Sequence, residues 1–63
     1  MDEEIVYIVR VILPDGKNKI VEEEEYTAFE YHTYDNNNLR LVTRDGSTVI
    51  EFHNYNWISI RPK

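Results

Sequence analysis

The most constraining feature of this chain is a run, residues 5–13, that is apolar on both of its alternating faces. Ile5, Tyr7, Val9, Val11 and Leu13 fall on one side of a strand, and Val6, Ile8, Arg10 and Ile12 on the other. Successive side chains of a strand point to opposite faces, so a strand with one wet face alternates apolar with polar. A strand over residues 4–13 in which both faces are apolar needs cover on both sides. It lies between two layers, or its second face meets a partner chain. From this we expect self-association through Tyr7, Ile8, Val9 and Val11, with a two-fold dimer favoured and Arg10 on the less buried face. An edge-strand dimer is the other way to supply core that a lone chain lacks.

The need for added core follows from size. Sixty-three residues make one domain at most. A chain this short buries only about 60% of the surface its unfolded form exposes. It has no Cys, so no disulfide, and no cluster of Cys and His that would hold a structural zinc. Packing or association must supply what those staples would.

The remaining periodicity is that of strands. There is a single Ala, and β-branched and aromatic residues dominate. Pro14-Asp15-Gly16 predicts a turn, then a strand over residues 17–25 and another over 26–34. A polar loop follows at Asp35, Asn36, Asn37 and Asn38. Strands are expected at 39–44, 48–53 and 57–61, with Arg44-Asp45-Gly46-Ser47 as a hairpin turn and Asn54-Tyr55-Asn56 as the last turn. Short strands at this spacing predict an all-β domain over residues 1–63: a five- to six-stranded antiparallel barrel or sandwich, SH3-like or OB-like, without substantial helix. A two-layer meander is the alternative architecture. A helix over residues 21–31 is the competing local reading, because Glu and Ala favour helix.

The charge is uneven. The chain carries 12 acidic and 7 basic residues, a formal net charge of -5. Residues 1–34 hold nine acidic and three basic side chains, and residues 35–63 hold three and four. Glu22, Glu23, Glu24 and Glu25 form the densest acidic run. One reading is a solvated strand that blocks edge-to-edge pairing. The functional reading is a contact patch for another protein with a basic surface, where the mutual repulsion of these carboxylates would be relieved. A strand sends neighbours to opposite faces, which disfavours a metal site in the run.

Tyr31, Tyr34 and Trp57 are candidate aromatic contacts. OB-type barrels stack bases on such rings, but the basic residues that neutralise phosphates are few: Arg40, Arg44, Arg61 and Lys63 in the second half. The charge balance therefore disfavours nucleic acid, and most rings are expected in core and cross-strand pairs. Trp57 is expected to plug or fill the core, with an exposed recognition anchor as the alternative.

Catalysis is not expected. No Cys is present, Ser47 sits in a turn and Ser59 in a strand, and the two glycines lie in separate turns, so no phosphate loop exists. His32 and His53 lack a third metal ligand of their own kind, and surface histidines account for both. No cofactor is expected. No apolar run is long enough for a membrane helix, and the acidic Met-Asp-Glu-Glu start is unlike a signal peptide. A cytoplasmic location is the expectation.

The layout of the second half is similar to that of small phage and prophage β-proteins. The residues carrying this are Phe29 to Tyr34, the loop Asp35-Asn36-Asn37-Asn38, Leu39-Arg40-Leu41, Arg44-Asp45-Gly46, Val49-Ile50-Glu51-Phe52 and Trp57-Ile58-Ser59-Ile60. The resemblance covers about 35 residues of turns and strands and includes no catalytic motif. That group is mostly of unknown function, and some of its small acidic members bind and block a host protein, sometimes by imitating the charge of DNA. The Glu22 to Glu25 run is the part suited to that role.

Overall fold

A computed structural model describes residues 3–15 and 18–63. The described residues form six strands and no helix: β1 (Ile5–Asp15), β2 (Asn18–Ala28), β3 (Glu30–Thr33), β4 (Leu39–Val42), β5 (Thr48–Phe52) and β6 (Trp57–Pro62). They build two antiparallel sheets of three strands each, in the orders β2-β1-β6 and β3-β4-β5. The all-β expectation holds, and a helix over residues 21–31 does not. Among the described residues the two sheets do not join into a closed barrel.

Each sheet places its most apolar strand in the centre. Tyr7, Val9 and Val11 of β1 and Leu39 and Leu41 of β4 are buried in one cluster with Ala28. Tyr26, Ile50, Phe52, Trp57 and Ile60 pack around it. Val9, Val11, Leu39 and Leu41 are the largest fully buried side chains, two from each sheet. Burying such a side chain is worth roughly 1.5–3 kcal/mol, so these four anchor the fold.

This arrangement accounts for one face of β1. The expected self-association residues Tyr7, Val9 and Val11 lie inside the chain's own core, covered by the second sheet, and present almost no surface to a partner. Ile8 points the other way. It is only 9% exposed although, among the described residues, no second layer covers that face.

The boundary between the second and third strands differs from expectation. β2 does not end at residue 25 but runs to Ala28, and β3 begins two residues later. Phe29 alone separates them, and its N–H donates to the Val42 carbonyl at 2.9 Å. The chain thus crosses from one sheet to the other without a loop. Nothing in residues 26–34 is a Gly, Pro or Asn, so no residue type marks the bend. Fully buried Ala28 occupies the crossing.

The turns are held as their residue types suggest. In the Arg44-Asp45-Gly46-Ser47 turn, Gly46 adopts φ 91°, which a side chain would resist. The Asp45 carboxylate accepts from the Thr43 hydroxyl and from the Ser47 N–H, which holds its carboxyl below the usual range. Pro14 lies within β1, in register with Lys19, beyond the point where β6 stops accompanying β1. A proline is tolerated there because it removes no ladder bond to a third strand. Gly16 of the expected first turn lies outside the described residues.

Candidate interaction surface

The hairpin of β1 and β2 is longer than the body it belongs to. Its register runs from Ile5 opposite Ala28 to Asp15 opposite Asn18. The β6 ladder along β1 reaches only from Tyr7 to Val11. Past Val11 the two strands continue alone, with Ile12 opposite Val21, Leu13 opposite Ile20 and Pro14 opposite Lys19. The Ile12 N–H donates to the Asn56 carbonyl at 2.8 Å, and Pro14 and Lys19 line a small cleft with Tyr55 and Asn56 of the last turn. In this arm Leu13 is 37% exposed, Ile20 41% and Val21 46%. Apolar side chains on both faces of a two-stranded arm are unusual, because such a ribbon has little core of its own.

β2 is also an edge. Among the described residues it pairs with β1 alone, along all 11 of its positions. The other edge strands, β3, β5 and β6, have four, five and six residues. A long unpaired edge presents a row of N–H and C=O groups ready to accept another strand.

The acidic run lies on this edge and is divided by the pleat. Glu23 and Glu25 share the outer face with Ile8 and Arg10, and Glu22 and Glu24 share the face of Val11 and Val9. On the outer face, Arg61 of β6 reaches Glu23 at 3.6 Å, and Lys63 reaches Glu25 at 3.1 Å. Both pairs span β1, over the row in which Ile8 lies between Glu25 and Arg61. Their aliphatic stems explain the low exposure of Ile8: long charged side chains cover apolar surface while keeping their heads wet. These pairs are more than half exposed and contribute little as ion pairs. Glu24 accepts a hydrogen bond from the Tyr26 hydroxyl at 2.7 Å. That bond and, foremost, burial push the Tyr26 pKa up to about 12. Glu22 is exposed, with no bond or ion pair described. The four carboxylates are therefore two pairs on opposite faces of one edge rather than a single patch.

The aromatic candidates are not gathered. The ring of Tyr31 meets that of Tyr7 edge-on at 5.4 Å. The half-buried Trp57 donates its indole N–H to the Asn37 carbonyl at 2.8 Å. Asn37 holds φ 66°, a left-handed conformation that Asn tolerates, and Asn38 accepts from the Asn54 N–H at 2.9 Å. Trp57 thus fastens the polar loop to the last turn while packing on the core. Tyr34 lines a shallow depression with His32, Arg40 and Arg44. Arg40 is engaged there, donating to Thr48 at 2.7 Å. His32 sits 3.8 Å from Glu30, and His53 stacks on Tyr55 at 5.5 Å.

The alternation over residues 17–25 predicts burial for Ile20 and Val21 in the first half of that strand, whereas the structure leaves both exposed together with Leu13 and Lys19. The missed signal was a mismatch of lengths. The first two expected strands were nine or ten residues long, and the last had five. A short closing strand cannot cover the far half of a long hairpin. No known protein family, curated protein or solved structure matches this chain.

Proposed function

We propose that this chain is a small acidic, non-enzymatic protein-interaction module that adds an extended segment of a partner protein to the free edge of β2. The observation that carries this reading is that β2 offers 11 residues of unpaired edge on which Glu22, Glu23 and Glu25 are exposed. Strand addition takes its affinity from backbone hydrogen bonds and its specificity from alternate side chains. Opposite charges facing each other across strands add roughly 0.2–1 kcal/mol per pair. A partner strand with Lys or Arg opposite these carboxylates is favoured, and an acidic one is rejected. In this reading the two sheets are halves of a partly open SH3-like or OB-like barrel, or a small sandwich, with β2 as the open side. The shared core and the single-residue crossing at Phe29 support that view. The module works in the cytoplasm.

The test is a titration of the isotope-labelled chain with two extended peptides, one alternating Val with Lys and one alternating Val with Glu. Amide shifts confined to β2, seen with the Lys peptide and weakened by salt, are expected. Replacing Glu22, Glu23, Glu24 and Glu25 together with Gln should remove the preference for Lys. Equal binding of the two peptides, or shifts centred on β3 to β5, would sink the reading.

A further inference from the structure

Resting on the reading of β2 as a strand-accepting edge, we infer that the strand it accepts is β2 of a second copy, paired antiparallel about a two-fold axis through Val21. The chemistry sought in a partner is present in β2 itself. Reading along it, Lys19, Ile20 and Val21 precede the four glutamates.

Symmetry and charge select the register. Two copies of one strand in a continuous antiparallel sheet are related by an axis perpendicular to the sheet, which preserves faces, so a residue faces only residues of its own parity. The axis therefore passes through a residue. Placed on Glu22, Glu23 or Glu24, it sets carboxylates directly opposite carboxylates, which is destabilising. Placed on Ile20 or Tyr26, it shortens the paired segment and joins no opposite charges. Placed on Val21, it sets Lys19 opposite the partner's Glu23 twice, Ile20 opposite the partner's Glu22 twice, and Val21 against itself. Residues 18–24 then pair with no like charges directly opposite each other. Among two-fold registers, this one joins opposite charges and avoids facing carboxylates.

The apolar arm gives the reason to pair. Leu13 and Ile20 share one face and Ile12 and Val21 the other, and Leu13, Ile20 and Val21 are more than a third exposed. In the Val21-centred dimer the arm of each copy lies beside residues 22–24 of the other, where the partner's body begins. The two arms become the central four strands of a six-stranded sheet, in the order β6-β1-β2-β2-β1-β6. The glutamates then act as a register device that admits pairing at the tip of the edge and blocks sliding toward the body.

The experiment uses the intact chain and reads mass by light scattering and sedimentation. Wild type should form a concentration-dependent dimer. Lys19→Glu places Glu opposite Glu twice and should raise the dimer dissociation constant about tenfold or more. Adding Glu23→Lys to that variant restores opposite charges across the axis and should bring the dimer back. Lys19 and Glu23 are both exposed, and a unchanged unfolding curve at low concentration shows that each variant still folds. The chain has no Cys, so Val21→Cys provides an independent readout. Cys at the axis meets its own copy and should cross-link under mild oxidation, whereas Thr27→Cys on the same face of β2 should not. A chain that stays monomeric up to its solubility limit overturns the inference, and the peptide titration then decides strand addition separately. A dimer indifferent to Lys19→Glu, or one that Thr27→Cys links as fast as Val21→Cys, overturns it as well.

Discussion

The near and far halves of the β1–β2 hairpin share two strands and one continuous ladder, yet they differ in nearly everything else. In the near half, Val9 and Val11 are buried, and Glu23 and Glu25 are met by Arg61 of β6 and by Lys63 just after it. In the far half, Ile20 and Val21 are as apolar as those valines and remain exposed. The backbone pairing is the same in both, so pairing is not what makes the core. The near half gains its stability from a second layer and a third strand, because apolar area counts only when it leaves water. The far half has the composition of a core and lacks the layer.

The sharpest way to break this contrast is to cut equal side chains from the two regions. Leu41→Ala removes a fully buried side chain and should cost about 2–5 kcal/mol, comparable to the whole stability of a domain this small. Ile20→Ala, measured where the chain is monomeric, should cost about 0.5 kcal/mol or less. Urea unfolding followed through Trp57 fluorescence checks both. Equal losses would mean that the arm is part of the cooperative core.

A smaller effect is expected at the fastening of the loop. Trp57→Phe keeps a ring against the core but removes the donor to the Asn37 carbonyl, and should cost about 1–2 kcal/mol in urea unfolding followed by far-ultraviolet circular dichroism, because the substitution also removes the fluorophore. The smallest effect separates the two faces of the acidic run. Burial, and then the bond to Glu24, raise the Tyr26 pKa from its ordinary 10.0 to about 12. A folded pKa above the unfolded one contributes stability that is complete below pH 10.0 and is lost as pH climbs through about 12. The Tyr7 pKa is raised as well, chiefly by burial, then by Tyr31 and Glu30. Tyr26→Phe should therefore flatten the alkaline decline in stability without abolishing it. An unchanged decline would place the effect elsewhere.

The parts of the fold legible in sequence were those governed by neighbours. The double apolar face of β1, the Asp45-Gly46 turn and the left-handed Asn37 follow from local pattern and residue chemistry. The bend at Phe29 did not, because no turn residue marks it. Nor did the fate of Tyr7, Val9 and Val11. An apolar pattern states that cover is needed but not whether the cover is Leu39 and Leu41 of the same chain or another molecule. The site was legible as charge and illegible as geometry. Glu22 to Glu25 stood out at once, but the contact of Glu25 with Lys63 links positions 38 residues apart. Register across such a distance is set by the assembled sheet.

The β6 ladder has a consequence in time. β1 pairs with β2, and β3 with β4 with β5, across short stretches of chain, whereas Tyr7 pairs with Pro62 across nearly all of it. Contacts of high sequence separation carry the largest closure cost, which places them late in folding, after the transition state. The two local strand groups should thus be in place before β6 arrives, leaving the second edge of β1 briefly open to mispairing. Ile60→Val should then hasten unfolding and leave the refolding rate unchanged, and a slowed refolding limb in stopped-flow traces would refute this order. On that order, the docking of the last strand governs how long a folded molecule survives rather than how quickly it forms.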